Sequence, residues 1–215
     1  MFEAWLIIGP TGSGKTPLGE ALELAGWNGR RCLHFDLGEE LRRIAAGRDV
    51  PPGLSSGERE VIGRVLRKGE LFEDRQAPLV RKIIDDFLRR RGAREADLLL
   101  LNGWPRHPGQ ARDLEAIARV RRIVFLNAPA AVLRERIRTD AGGDRAGRRD
   151  DSAGEVEAKL ALFEERTRPL LAHYAAAGVP IVPLDAGPTD SAEDLLRALR
   201  RAGEREGPGP RNGPE

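Results

Sequence analysis

The chain has 215 residues, 33% of them charged and 40% hydrophobic, with a formal net charge of +2 and an isoelectric point near 9. That length suits one α/β domain with insertions and is enough to bury a sizeable core. The near-balanced charge argues neither for nor against nucleic acid, and no basic, aromatic-interleaved RNA-binding motif is present. The single cysteine, Cys32, excludes an internal disulfide and suits a reducing compartment, and no apolar run approaches the length of a membrane span. The opening Met1-Phe2-Glu3 has no basic leader pattern. A cytoplasmic protein, expected monomeric, with neither nucleic acid nor membrane as a partner, is the expectation.

In chain order, Ala4–Ile8 reads as a strand and is followed at once by Gly9-Pro10-Thr11-Gly12-Ser13-Gly14-Lys15-Thr16. This fits G-x-x-x-x-G-K-[ST], the loop that wraps backbone N–H groups around nucleotide phosphates. Gly9, Gly12, Ser13, Gly14, Lys15 and Thr16 are the candidate ATP-binding residues, with Lys15 aimed at the β- and γ-phosphates and the Thr16 hydroxyl suited to Mg²⁺. A helix over Thr16–Ala25 would point its positive end at the same place. Arg31–Phe35 predicts a second strand and Asp36–Ala46 a helix. Gly47–Gly69 is a polar excursion with a helical stretch near Ser56–Lys68, and Ala77–Arg91 is a helix. Asp97–Leu101, with four consecutive leucines, predicts a central strand buried on both faces.

Asn102-Gly103-Trp104-Pro105-Arg106 then makes a proline-stiffened turn at a strand end, which holds a side chain in place. A helix over Pro108–Arg119, a strand over Arg122–Leu126 and a helix over Pro129–Arg138 follow. Asp140–Asp151 is glycine-rich and charged, and its glycines suit hinges. A helical pattern spans Ser152–Ala177, a strand Val179–Leu184 and a helix Asp190–Ala202. Residues 203–215 hold seven Gly or Pro and are expected to be a disordered tail. This rhythm predicts a three-layer α/β P-loop fold: a five-stranded parallel sheet, helices on both faces, ligands at the carboxyl ends of the strands. His34, His107 and His173 are isolated and read as structural or exposed.

The ordered set of motifs resembles the nucleoside monophosphate kinases of the adenylate kinase family. The segments that carry the likeness are Gly9–Thr16, Gly38-Glu39-Glu40-Leu41-Arg42, Gly69-Glu70-Leu71-Phe72-Glu73-Asp74, Asn102–Arg106 with Gln110, and Arg148-Arg149-Asp150-Asp151. The resemblance implies a single kinase domain over residues 1–202, with an acceptor-binding segment at 36–75 and a short lid at 138–151 that takes no zinc. It implies Mg²⁺-assisted transfer from ATP to a nucleoside monophosphate. Lys15, Arg106, Arg136 and Arg148 are the implied catalytic set. Asp36, Gly38, Arg42, Phe72, Asn102, Gly103, Arg106 and Gln110 are the implied acceptor site, and Thr16 the metal residue, with Asn102 acting through water.

The chain departs from the family at several of these positions. Leu37 replaces a threonine, Asp36 a serine and Asn102 an aspartate that orients magnesium-bound water. Asp140 stands where a second lid arginine is expected, with Arg138 or Arg145 nearby, and Lys159 replaces a helix arginine. These leave two alternatives open: a P-loop kinase of another small-molecule acceptor with Asp36 as base, or an ATP-binding regulator with little turnover.

Overall fold

The apolar run ahead of the glycine-rich loop forms the central strand of the sheet. The computed structural model describes residues 1–144 and 152–205. Its strands are β1 (Phe2–Ile8), β2 (Cys32–Asp36), β3 (Leu98–Asn102), β4 (Ala118–Asn127) and β5 (Ile181–Asp185). They form one sheet of order β2-β3-β1-β4-β5, parallel throughout. Because side chains alternate along a strand, the sheet feeds two cores. Leu6, Phe35, Leu101 and Phe125 face one side, and Trp5, Ile7, Leu100 and Val124 face the other.

α1 (Lys15–Ala25) and α9 (Ala192–Arg205) cover the second face through Leu18, Leu22, Leu195 and Leu199. α4 (Ala77–Arg90), α5 (Pro108–Glu115) and α8 (Pro169–Ala176) cover the first through Ile84, Phe87, Leu114 and Leu170. Helices on both faces of a parallel sheet give the expected three layers. The remaining helices are α2 (Leu37–Ala45), α3 (Ser56–Lys68), α6 (Ala130–Arg138) and α7 (Ala153–Leu162). α2 and α3 pack together, and α2 follows directly from the carboxyl end of β2.

Local chemistry sets the ends of these helices. Ser55 accepts from the Glu58 amide at 3.2 Å while Glu58 accepts from the Ser55 amide at 2.8 Å, a reciprocal cap that starts α3. Gly69 ends it in a left-handed conformation, φ 64°. α2 is tied to α4 by an ion pair between Glu40 and Arg90, and Arg90 also donates to Asp86 at 2.8 Å. Burial raises the Glu40 carboxyl above its ordinary value, and Arg90 offsets part of that rise.

Three elements differ from the sequence reading. α5 stops at Glu115 rather than continuing to Arg119, because Ala118–Val120 are recruited as the start of β4 beside Phe2, Glu3 and Ala4. The helical pattern over 152–177 is broken by a π-turn at Phe163–Thr167, which separates α7 from α8. α9 runs on to Arg205, so residues 203–205 are helical rather than part of a tail; residues 206–215 lie outside the described residues. Among the described residues, no helix is long and apolar enough to cross a membrane.

Candidate active site

The loop from Gly9 to Gly14 joins the buried end of β1 to α1, and its shape requires glycine at two points. Gly12 and Gly14 sit at φ 81° and 94°, where a Cβ would be strained. A Cβ on Gly14 would lie 2.8 Å from Leu195 Cδ1, and one on Gly12 2.8 Å from Ile137 Cγ1, so the loop is also pressed from behind. Ser13 Oγ donates to the Pro10 carbonyl at 2.9 Å, and Lys15 Nζ donates to the same oxygen at 2.7 Å. No acidic side chain stands in the first turn of α1, which leaves its positive end available to an incoming anion.

Arg136 of α6 is buried and grips this loop. Its Nε donates to the Gly12 carbonyl at 3.0 Å, and its Nη1 donates to the carbonyls of Gly187 and Asp190 at 2.5 and 3.0 Å. Burial lowers the Arg136 guanidinium from its ordinary value, with Asp190 and Asp144 pulling the other way. In this arrangement it ties the phosphate loop to the start of α9.

At the ends of β2 and β3, register brings Asp36 opposite Asn102. Asp36 Oδ1 accepts from the Glu39 amide at 3.1 Å, capping α2. Its Oδ2 accepts from Thr16 Oγ1 and from Asn102 Nδ2, both at 2.7 Å, and Asn102 Nδ2 also lies 3.1 Å from Thr16 Oγ1. Hydroxyl and carboxylate oxygens of this kind suit a hard cation such as Mg²⁺. Among the described residues no three His, Cys, Asp or Glu side chains converge. A cation here would therefore take most of its oxygens from nucleotide and water.

The turn after β3 is fixed from both sides. Gln110 Oε1 accepts from the Arg106 amide at 2.8 Å, while Gln110 Nε2 donates to the Phe72 carbonyl at 2.7 Å. His107 Nε2 also lies 3.2 Å from that carbonyl. Both ends of the Gln110 amide are thus committed to backbone, and Phe72 is locked beside the turn. The Arg106 side chain reaches back over the cleft, where Nε donates to Thr167 Oγ1 at 3.2 Å. Among the described residues it has no carboxylate ion partner. Burial pushes its guanidinium down from the ordinary arginine value, and Asp36 at longer range partly offsets that. A cation held in this way favours an arriving anion.

These groups open on one cleft of about 230 Å³. Gly9, Gly12, Gly14, Lys15 and Thr16 line one side; Asp36, Gly38, Arg42, Phe72, Asn102, Gly103, Arg106 and Gln110 line the other. Arg42 is half-exposed there, its Nε donating to Glu39 at 3.1 Å. Ser13 lies within the loop, its hydroxyl turned to Pro10. Arg148 and Arg145 lie outside the described residues, as does the lid from 145 to 151. The sequence reading passed over Val65, Leu66 and Leu162, which with Leu71 of the quoted Gly69–Asp74 segment give the cleft an apolar wall. Their signal was available as the apolar stripes of α3 and α7. Thr167, the partner of Arg106, had no signal, because its position depends on the π-turn.

No family model matches the chain. Known proteins do. The adenylate kinase of Synechococcus sp. (strain CC9311) is 30% identical over 184 residues, covering 83% of this chain and 88% of that protein. That of Prochlorococcus marinus (strain MIT 9313) is 29% identical with the same coverage. The adenylate kinase of Parvibaculum lavamentivorans is 30% identical over 183 residues, 80% of each chain.

Proposed function

The chain belongs to the adenylate kinase family and transfers a phosphoryl group from ATP to a nucleoside monophosphate, and we propose that its acceptor is AMP. The observation that carries the acceptor half of this reading is Arg106. It is a half-buried guanidinium with no carboxylate ion partner among the described residues, on a turn fixed at both ends, across a cleft from a phosphate-binding loop. The name shared by the relatives supports adenine as the base.

In this reading the loop amides and Lys15 hold the β- and γ-phosphates of ATP, and Lys15 leaves the Pro10 carbonyl for the nucleotide. Arg106 and Arg42 clamp the acceptor phosphate with forked donors, which suit the planar faces of an oxyanion. Phe72 and the apolar wall seat the base; Gln110 reads its edge after giving up its contact with Phe72. Arg136 keeps the loop in shape, and Arg148 adds charge at the transferring group. No general base is needed, since the attacking group is an already ionised phosphate. Positioning and charge carry the barrier reduction. Mg²⁺ supplies neutralisation of the phosphate oxygens when it arrives with ATP, next to Thr16. The short lid at 138–151 and the acceptor segment at 36–75 belong to the same proposal.

A panel of AMP, CMP, UMP, GMP and dTMP against Mg·ATP tests the acceptor directly. AMP should give the highest kcat/KM by at least about tenfold, the size of one well-placed polar contact to the base. A higher value for any other monophosphate would reassign the acceptor.

A further inference from the structure

P-loop nucleotide sites hold Mg²⁺ with the loop Ser or Thr and with an aspartate from a neighbouring strand end. Here the strand beside β1 ends in Asn102, which carries no charge. The side-chain partners of Thr16 among the described residues are Asn102 and Asp36, and Asp36 is the carboxylate. Asp36 comes from β2, one strand further out, yet parallel register brings it level with Asn102, and Asn102 Nδ2 holds it in place at 2.7 Å.

We propose that Asp36 is the metal-site carboxylate of this chain, supplying from β2 the anionic oxygen beside Thr16 that Asn102 lacks, and that it serves Mg·ATP rather than the acceptor. The two oxygens of Asp36 divide the labour. Oδ1 caps α2 through the Glu39 amide, a task that a neutral Ser or Asn performs as well. Oδ2 is turned away from the helix onto the Thr16 hydroxyl, where a cap has no use for it. A carboxylate at this point balances a divalent cation and accepts from its water ligands, as hard-cation sites require. Asn102 then acts as a positioning residue: its amide donates to Asp36 and fixes the carboxylate orientation. An acceptor role fits less well, because Oδ2 is turned onto the Thr16 hydroxyl of the phosphate loop and is held there by the Asn102 amide.

The inference rests on the kinase reading only in assuming that Mg²⁺ and a nucleotide meet at this loop. Its test therefore reads cation binding instead of turnover. With the full-length protein saturated by a non-hydrolysable ATP analogue, Mn²⁺ is titrated as the probe and free Mn²⁺ is followed by electron paramagnetic resonance. Asp36→Asn, which keeps the helix cap, should weaken Mn²⁺ binding by about tenfold or more, as loss of a metal-orienting carboxylate does. Asp36→Ser serves as a second cap-competent variant. The exchange Asp36→Asn with Asn102→Asp, which returns the charge to β3, should recover most of the affinity. A change below about threefold in both single variants, or a double variant no better than Asp36→Asn, would overturn the assignment. If the acceptor panel fails while Mn²⁺ binding follows this pattern, the proposed acceptor falls and the metal assignment stands.

Discussion

Replacing Arg106 by methionine keeps the apolar stem of the side chain and removes the guanidinium, so it separates binding from packing. Among the described residues that guanidinium has one side-chain hydrogen-bond partner, Thr167, at 3.2 Å and no carboxylate ion partner. Part of its desolvation cost is already met on folding, so an arriving phosphate gains its contacts at reduced further expense. Two charge-assisted hydrogen bonds at roughly 1.5–3 kcal/mol each give about 4 kcal/mol, close to a thousandfold in acceptor kcat/KM. The KM for Mg·ATP should move by less than about threefold, since the donor phosphates belong to the loop and Lys15. Because no ion pair among the described residues is broken, stability in urea should change by no more than about 1 kcal/mol. Initial rates at varied AMP and fixed Mg·ATP, with an unfolding curve for each protein, measure both quantities. Acceptor kcat/KM within threefold of wild type, or a collapse of stability with intact acceptor binding, would refute the assignment.

Arg136→Met should behave in the opposite way: it strands the carbonyls of Gly12, Gly187 and Asp190, at about 1 kcal/mol each. A loss near 3 kcal/mol in urea, with weaker ATP binding, is expected, and a loss under about 1 kcal/mol would mean that these contacts are incidental. Glu3 is held below its ordinary carboxylate value of 4.5, chiefly by its hydrogen bond to Arg30 and also by Arg121, against burial. It therefore adds stability above pH 4.5 that is lost as pH falls through its lowered value. Glu3→Gln should flatten that part of the acid-unfolding profile; superimposable profiles would show that the cluster contributes nothing. Burial pushes the Cys32 thiol up to about 11, so native protein at pH 8 should resist a thiol reagent and react with one equivalent after denaturation. Rapid labelling of the native chain would count against the buried position of β2.

Much of the fold is legible because hydrophobic pattern and turn chemistry agree locally. The leucine run of β3 and the glycine-rich loop each mark an element by composition alone. β4 was read short, from Arg122, because Arg119 and Arg121 ahead of it look like surface residues. In the sheet Arg121 donates to Glu3 at 2.7 Å, and the Arg122 guanidinium lies 4.7 Å from the centre of the Trp5 ring, so charged residues sit comfortably at the start of a strand. The π-turn leaves no trace in composition, since Phe163 and Thr167 are both buried and the apolar rhythm continues through it.

The site was legible to a different depth. Lys15, Arg42 and Arg106 stand in recognisable local motifs, and the cleft gathers all three. What Asp36 does was not readable. Its partners Thr16 and Asn102 are 20 and 66 residues away, and only the register of β2 against β3 brings them together. Arg136 is similar: it grips backbone carbonyls, which carry no residue identity for a sequence to display.

The phosphorus balance of a single reaction tests the central claim most directly. Mg·ATP and AMP are mixed with the protein and followed by ³¹P nuclear magnetic resonance. Transfer to a monophosphate predicts that ATP and AMP disappear together and that two ADP form for each pair, with no inorganic phosphate. ADP and inorganic phosphate accumulating while AMP stays untouched would contradict it.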